Sequence, residues 1–278
     1  MPYKTLLVHV DSGARAPLRI DIACRLARRF EAHLIGLHAL TVIKLPGYAR
    51  VAVEGGARLE EFQAKAAAEA ARQVKQVFER GVSAAGLSKS EWRASEDDAA
   101  EVVPVHARYA DVVVIGQPNE ADASGVEPDF AERLVLAAGR PVLLIPYAGN
   151  FPEIGKRALV AWNASREAAR AVTDAIPLLR EAQEVHVIAF NPDAAAHGQV
   201  PGADIGLYLA RHGIKVNVSQ QSADDVDVGN QLLSRAADLD VDLIVMGAYG
   251  HSRMKELILG GVTRTLLESM TVPVLMSH

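Results

Sequence analysis

Short continuous runs of apolar residues recur along the chain and alternate with longer stretches in which apolar residues return every third or fourth position. A continuous run bounded by turn residues is typical of a strand buried on both faces of a parallel sheet, and the longer period is typical of an amphipathic helix. The strand segments, some with their following turn, are residues 5–12, 111–116, 139–146, 157–165, 242–247 and 271–276. The helical segments with clear spacing are residues 59–82, 97–109, 165–179 and 224–239.

The two halves of the chain repeat one order of strand, polar turn and helix. Residues 157–165 (RALVAWNAS) open the second half as residues 5–12 (TLLVHVDS) open the first. Each half therefore predicts the order β-α-β-α-β-α-β-α-β, with a parallel sheet and helices on both of its faces. We predict an α/β fold of two tandem, doubly wound, five-stranded parallel-sheet domains of the Rossmann-like nucleotide-binding kind, over residues 1–148 and 155–278. Their short linker predicts that the halves pack together, and ligands of such sheets bind outside the carboxyl ends of the strands.

Composition excludes several classes of partner. The 29 basic and 34 acidic residues give a net charge of −5, so nucleic acid is not an expected partner. No apolar run approaches the ~20 residues that span a bilayer, so we expect no membrane segment. Cys24 is the only cysteine, which fits a reducing compartment and predicts a cytoplasmic protein. The scattered histidines form no HxH or HExxH arrangement, so no metal centre is expected.

Glycines cluster after the strand at residues 242–247. Gly247 ends that strand, Gly250 follows three residues later, and Gly260 and Gly261 precede a helical segment. Glycine lets anionic oxygens approach backbone N–H groups, and the free N–H groups of a helix N-terminus suit phosphate. The spacing is neither the GxxxxGK[ST] of a P-loop nor the GxGxxG of a dinucleotide fold. A purely structural βα turn is the alternative interpretation.

The spacing G-x2-G-x9-G, followed by a small residue, Val and Thr, resembles the signature of the ATP-binding universal stress proteins, and the turns at residues 11–12 and 162–165 resemble that family's first turn. The resemblance implies that the second half binds ATP, with or without Mg²⁺. It also implies that residues 142–146 and 272–276 lie near a pseudo-two-fold contact between the halves; a further homodimer is left open. The site residues that it implies are Asn163, Ala164, Ser165, Met246, Gly247, Gly250, His251, Gly260, Gly261, Val262 and Thr263.

Two residues in the second half, and one loop in the first, depart from the family pattern. Asn163 stands where the family has an acid that contacts the nucleoside, and Gly261 stands where it has a small hydroxyl residue, so we expect weaker or altered binding. In the first half, the loop after Gly116 lacks the glycines and carries acidic residues that would repel a triphosphate. These are Glu120, Asp122, Glu127 and Asp129. The first half is therefore predicted not to bind ATP by the family's route.

The main functional prediction is a universal stress protein that binds an adenine nucleotide and has a regulatory role in the stress response. It is not expected to be an enzyme, and a slow ATP hydrolase ranks last. The alternative is a scaffold or interaction protein that keeps the fold without binding a nucleotide. Ser12 and Ser165 are predicted to cap helices rather than to act as nucleophiles. The acidic residues 224–227 suit either Mg²⁺ or a helix N-terminus, and residues 41–56 are expected to form a loop or lid over the first domain.

Overall fold

The computed structural model describes residues 1–39, 56–119, 122, 126–190, 202–222, 228–250 and 261–278, with the backbone alone for residues 56–64. The predicted loop at residues 41–56 lies outside this description except for Gly56, which begins a helix. The acidic residues 224–227 also lie outside it. Among the helices of the described ranges, none is long and apolar enough to cross a membrane.

Each half contains five strands and four helices in the predicted order, counted over the described ranges. The elements of the first half are β1 (Thr5–His9), α1 (Ala16–Phe30), β2 (His33–Ala39), α2 (Gly56–Ala84), β3 (Ser90–Ser95), α3 (Ala99–Ala107), β4 (Val112–Gly116), α4 (Phe130–Ala137) and β5 (Val142–Ile145). Those of the second half are β6 (Arg157–Ala161), α5 (Arg166–Leu179), β7 (Glu184–Phe190), α6 (Ala203–Arg211), β8 (Asn217–Gln221), α7 (Val228–Asp238), β9 (Leu243–Gly247), α8 (Gly261–Ser269) and β10 (Val274–Ser277).

The last strand of each half begins one residue after a proline, Pro141 in the first half and Pro273 in the second. Proline has no N–H to donate to the sheet, but its carbonyl still accepts from the neighbouring strand. The N–H of Val113 donates to Pro141 O at 3.0 Å, and the N–H of Ile244 donates to Pro273 O at 2.9 Å. The last strand of each half therefore begins after its proline and is shorter than the strand segment predicted from the sequence.

All ten strands lie in one sheet, in the order β3-β2-β1-β4-β5-β10-β9-β6-β7-β8. Within each half every pair of neighbouring strands is parallel. The halves join through β5 and β10, which pair antiparallel with Val274 opposite Leu144 and Met276 opposite Val142. The predicted fold class is confirmed, and the two five-stranded sheets form one continuous sheet. The exact division into domains at residues 148 and 155 stays a prediction.

Both faces of the sheet are covered, which explains why the strands are continuous apolar runs. Leu6 and Val8 of β1 point into a core formed with α1, α2, α5 and α6, and Leu7 between them points into the opposite core formed with α3, α4, α7 and α8. Each core extends through both halves. The antiparallel join has one further consequence. The carboxyl ends of the first half's strands lie on the same side of the sheet as the amino ends of the second half's strands.

Candidate functional site

The turn between β6 and α5 is built by local hydrogen bonds. Asn163 Oδ1 accepts from the N–H of Ser165 at 3.1 Å, and Ser165 Oγ accepts from the N–H of Ala168 at 3.1 Å. Ala164 between them adopts a left-handed backbone with φ of 57°. Ser165 is therefore the N-cap of α5, as predicted. The side chain of Asn163 holds the turn together, so one of its acceptor positions is already used.

The end of β9 lies directly against the first turn of α5. A Cβ placed on Gly247 would stand 2.5 Å from the carbonyl carbon of Glu167 and closer still to the backbone nitrogen of Ala168. A Cβ on Gly250 would stand 3.0 Å from Ser165 Oγ. Glycine at these two positions lets the chain after β9 approach the turn between β6 and α5. Two segments that are more than 80 residues apart in the sequence therefore meet at the carboxyl edge of the sheet.

Helix α8 begins at the same carboxyl edge, beside the residues that follow β9. Tyr249, with φ of 61°, donates its N–H to Thr263 Oγ1 at 3.5 Å, a contact at the limit of a hydrogen bond. Thr263 is buried, and Val262 packs at the edge of the core. Gly261 is exposed, and a Cβ on it would meet no atom within 4 Å among the described residues. The first turn of α8 therefore lies beside Tyr249, at the carboxyl edge of the sheet.

Three residues of the predicted site set need separate comment. Met246 is 4 % exposed and lies in the core, where it pairs in register with Ala161 and Met276, so only its backbone faces the edge of the sheet. His251 and Gly260 lie outside the described residues.

Glu167, which was not among the predicted site residues, lies beside Gly250. Its Oε2 would stand 3.3 Å from a Cβ on Gly250, and its Oε1 accepts from Arg166 Nε at 2.5 Å. Burial raises the pKa of the Glu167 carboxyl, but the hydrogen bond from Arg166 outweighs it and leaves the pKa below the ordinary value. A carboxylate is thus paired with a guanidinium at this end of α5. From the sequence, an acid in the first turn of a helix indicates only a favourable helix dipole.

His278 and Tyr249 support the loop from the side of β10. The His278 Nδ1 lies 3.1 Å from Ala248 O, and the rings of Tyr249 and His278 meet edge to face with centroids 6.2 Å apart. Burial raises the pKa of the Tyr249 phenol above its usual range. Tyr249 is therefore a neutral, packed side chain that anchors the loop.

In the first half a side chain of the protein itself lies over the equivalent edge and lines the crevice that remains there. Arg19 of α1 reaches over the end of β4, where a Cβ on Gly116 would collide with its guanidinium. Arg19 Nε donates to His9 O at 2.8 Å, and Arg19 Nη2 lies 2.7 Å from Asp11 Oδ2. Burial raises the pKa of Asp11, but the Arg19 charge outweighs it and holds that pKa below its usual range. This buried ion pair was not predicted, because an arginine on an amphipathic helix normally indicates a solvated face.

The loop after β4 closes the same edge. Asp122 Oδ2 accepts a hydrogen bond from the N–H of Ala14 at 3.0 Å. A carboxylate of the acidic loop therefore uses a backbone N–H of the turn after β1. His9, beneath Arg19, is 1 % exposed, and burial lowers its pKa to about 3. It is thus a neutral core histidine near pH 7, as its position in a strand predicts. Among the described residues, no group of three side chains is arranged to hold a metal ion.

Comparison with known proteins agrees with this architecture. The model of the universal stress protein family matches residues 155–278. A universal stress protein of Synechocystis is 28 % identical over 171 residues, which are 59 % of this chain and 57 % of that protein's own length.

Two solved structures share the fold over nearly the whole chain. A universal stress protein from Archaeoglobus fulgidus has a TM-score of 0.72 at 17 % identity and covers 98 % of this chain and 95 % of its own. A functionally unknown protein of Pseudomonas aeruginosa has a TM-score of 0.61 at 15 % identity and covers 99 % and 92 %. At these identities the structural matches show the fold alone. The universal stress protein family model matches the second half of the chain, residues 155–278, and not the first.

Proposed function

We propose that the second half of this chain binds an adenine nucleotide, ATP, with or without Mg²⁺, and that the protein has a regulatory role in the stress response rather than rapid catalytic turnover. One observation carries the proposal: the capped turn at Ser165, the described glycines Gly247 and Gly250, and the first turn of α8 meet at one edge of the sheet. Backbone N–H groups and the positive end of a helix dipole favour phosphate at such an edge.

The first half supports the assignment of the nucleotide to the second half. The Arg19 guanidinium there is paired with Asp11, and the Asp122 carboxylate accepts the hydrogen bond from the N–H of Ala14. A phosphate at that N–H would have to displace the Asp122 carboxylate. We therefore expect one nucleotide per chain.

Gly261 offers a direct test, because a side chain there meets no neighbour within 4 Å among the described residues. Gly261→Glu would place a carboxylate where the phosphates are proposed to lie. Charges ~4 to 5 Å apart at an effective dielectric near 20 repel by about 3 kcal/mol, which lowers affinity more than a hundredfold. Calorimetric titration of the purified protein with ATP and Mg²⁺ measures the effect. Gly261→Ala, which removes the glycine without adding charge, is the matched control.

The results separate the proposal from its alternative. Two observations favour a scaffold that binds no nucleotide: Asn163 is engaged within its own turn, and the Glu167 carboxylate lies under the loop. If the parent protein retains no ATP at millimolar concentration, the scaffold function replaces the proposal. If folded Gly261→Glu binds ATP as well as Gly261→Ala does, the phosphates do not lie on α8. Slow release of phosphate over hours would indicate a hydrolase.

A further inference from the structure

Gln117 crosses from the first half to the helix on which the second half's phosphates are proposed to lie. It follows β4 directly, and because β5 and β10 are antiparallel, this end of the first half lies beside the carboxyl end of α8. The residue is 6 % exposed and, like Arg19, lines the crevice of the first half. The first half's degenerate crevice therefore adjoins the far end of α8.

The side chain of Gln117 uses both its donor and its acceptor in this contact. Its Nε2 donates to Leu267 O at 2.8 Å and to Glu268 O at 3.2 Å, and its Oε1 accepts from the N–H of Tyr147 at 3.1 Å. The last four carbonyls of a helix have no partner within the helix and need one elsewhere. Gln117 thus supplies hydrogen bonds to the end of α8 and ties that end to the segment after β5.

The contact has no counterpart at the equivalent position of the other half. Gly116 and Gly247 end the corresponding strands, so Ala248 stands where Gln117 stands in the first half. A methyl side chain has no hydrogen-bonding group. The end of α4 in the first half is instead contacted by Arg170 of α5, whose Nη2 donates to Gly139 O at 2.6 Å. The contact of Gln117 with the end of α8 is therefore not repeated between Ala248 and the end of α4.

We propose that Gln117 is a positioning residue through which the first half sets the orientation of α8 and so the affinity of the second half for phosphate. The inference rests on the proposed nucleotide site. Helix α8 has nine residues and is ~13 Å long, so a shift at its carboxyl end moves its N-terminus as part of one rigid element. The family resemblance implies that the nucleoside contacts the turn at Asn163, which is not part of α8.

Gln117→Glu tests this inference with a nearly isosteric change. A carboxylate keeps the acceptor for the N–H of Tyr147, loses both donors to α8 and adds an unfavourable negative charge at the carboxyl end of that helix. The control is Gln76→Glu on the exposed face of α2, which makes the same change of charge away from the contact. Affinities for ATP and for adenosine are measured for the parent and both variants, with circular dichroism to check folding. Gln117→Met, neutral and of similar size, serves if the glutamate variant does not fold.

We expect Gln117→Glu to weaken ATP binding about threefold to thirtyfold and to leave adenosine binding unchanged, with Gln76→Glu like the parent. A purely structural role would weaken both ligands equally, and that result overturns the inference, as does unchanged ATP affinity. If the parent itself binds no ATP, the proposed function fails separately. Hydrogen exchange of residues 261–269 then decides the inference: faster exchange in the Gln117 variant supports the positioning contact, and unchanged exchange refutes it.

Discussion

Replacing Arg19 with methionine removes the guanidinium that lines the first half's crevice while keeping a long side chain on α1. The side chain of Arg19 is 4 % exposed and that of Asp11 is 12 % exposed, so the change leaves a carboxylate in a site where little water can reach it. It also leaves His9 O without the hydrogen bond from Arg19 Nε. We expect the folded protein to lose stability, and the loss to be among the larger effects of a single substitution.

The magnitude follows from the geometry of the pair. At 2.7 Å and an effective dielectric near 20, the two charges attract by about 6 kcal/mol, and the cost of removing both from water offsets most of this. Removing one partner leaves the other charge buried and typically costs about 3 to 5 kcal/mol. Asp11 still accepts from the N–H of Gly13 at 2.9 Å, which places the expected loss near the lower limit, at about 3 kcal/mol.

Urea unfolding followed by circular dichroism measures the loss for Arg19→Met, Asp11→Asn and the double variant. The double variant removes both charges, so it should lose about 2 kcal/mol less than the sum of the single losses. Arg28→Met, on the exposed face of the same helix, is the control and should change stability by less than about 1 kcal/mol. A loss below 1 kcal/mol for Arg19→Met, or simple additivity in the double variant, would refute the buried ion pair.

Three further predictions concern the cores and the candidate site. His9 has a folded pKa of about 3, so below pH ~6.5 the unfolded chain binds a proton that the folded protein does not. The contribution of neutral His9 to the free energy of unfolding is fully present above pH ~6.5. It should fall by up to about 1.4 kcal/mol per pH unit as the pH is lowered to 4. In urea unfolding over the same pH range, His9→Leu should show a smaller dependence of the free energy of unfolding on pH. Gly247→Ala should cost about 1 to 3 kcal/mol in urea unfolding and weaken ATP binding, because its Cβ collides with the backbone at Ala168; an unchanged melting temperature contradicts the close approach. Ser165→Ala should cost about 1 kcal/mol and Ser165→Asp much less, since aspartate also caps a helix, and equal losses for the two would contradict the N-cap.

The sequence predicted that Gly247 follows a buried strand at the carboxyl edge of the sheet, but not which group the missing Cβ makes room for. Gly116 and Gly247 end equivalent strands and look the same in the sequence. The structure gives them different neighbours: Gly247 lies against the backbone of α5, and Gly116 makes room for the Arg19 guanidinium. A missing Cβ shows that something approaches closely, but not which group it is. That depends on which long side chain reaches across from a neighbouring element.

The sequence alone determined the α/β class, the order of the elements and the carboxyl edge on which the glycines meet, because these follow from local periodicity and from the two covered faces of a parallel sheet. Tertiary structure alone decided the contact of Gln117 with the end of α8, the burial of Arg19 against Asp11 and the carboxylate of Glu167 beneath Gly250. The Gln117 contact joins residues about 150 positions apart. It exists only because β5 and β10 pair antiparallel, which places the first half's crevice beside the carboxyl end of α8. Local periodicity carries no information about that pairing, since either closing strand could equally face solvent or another chain.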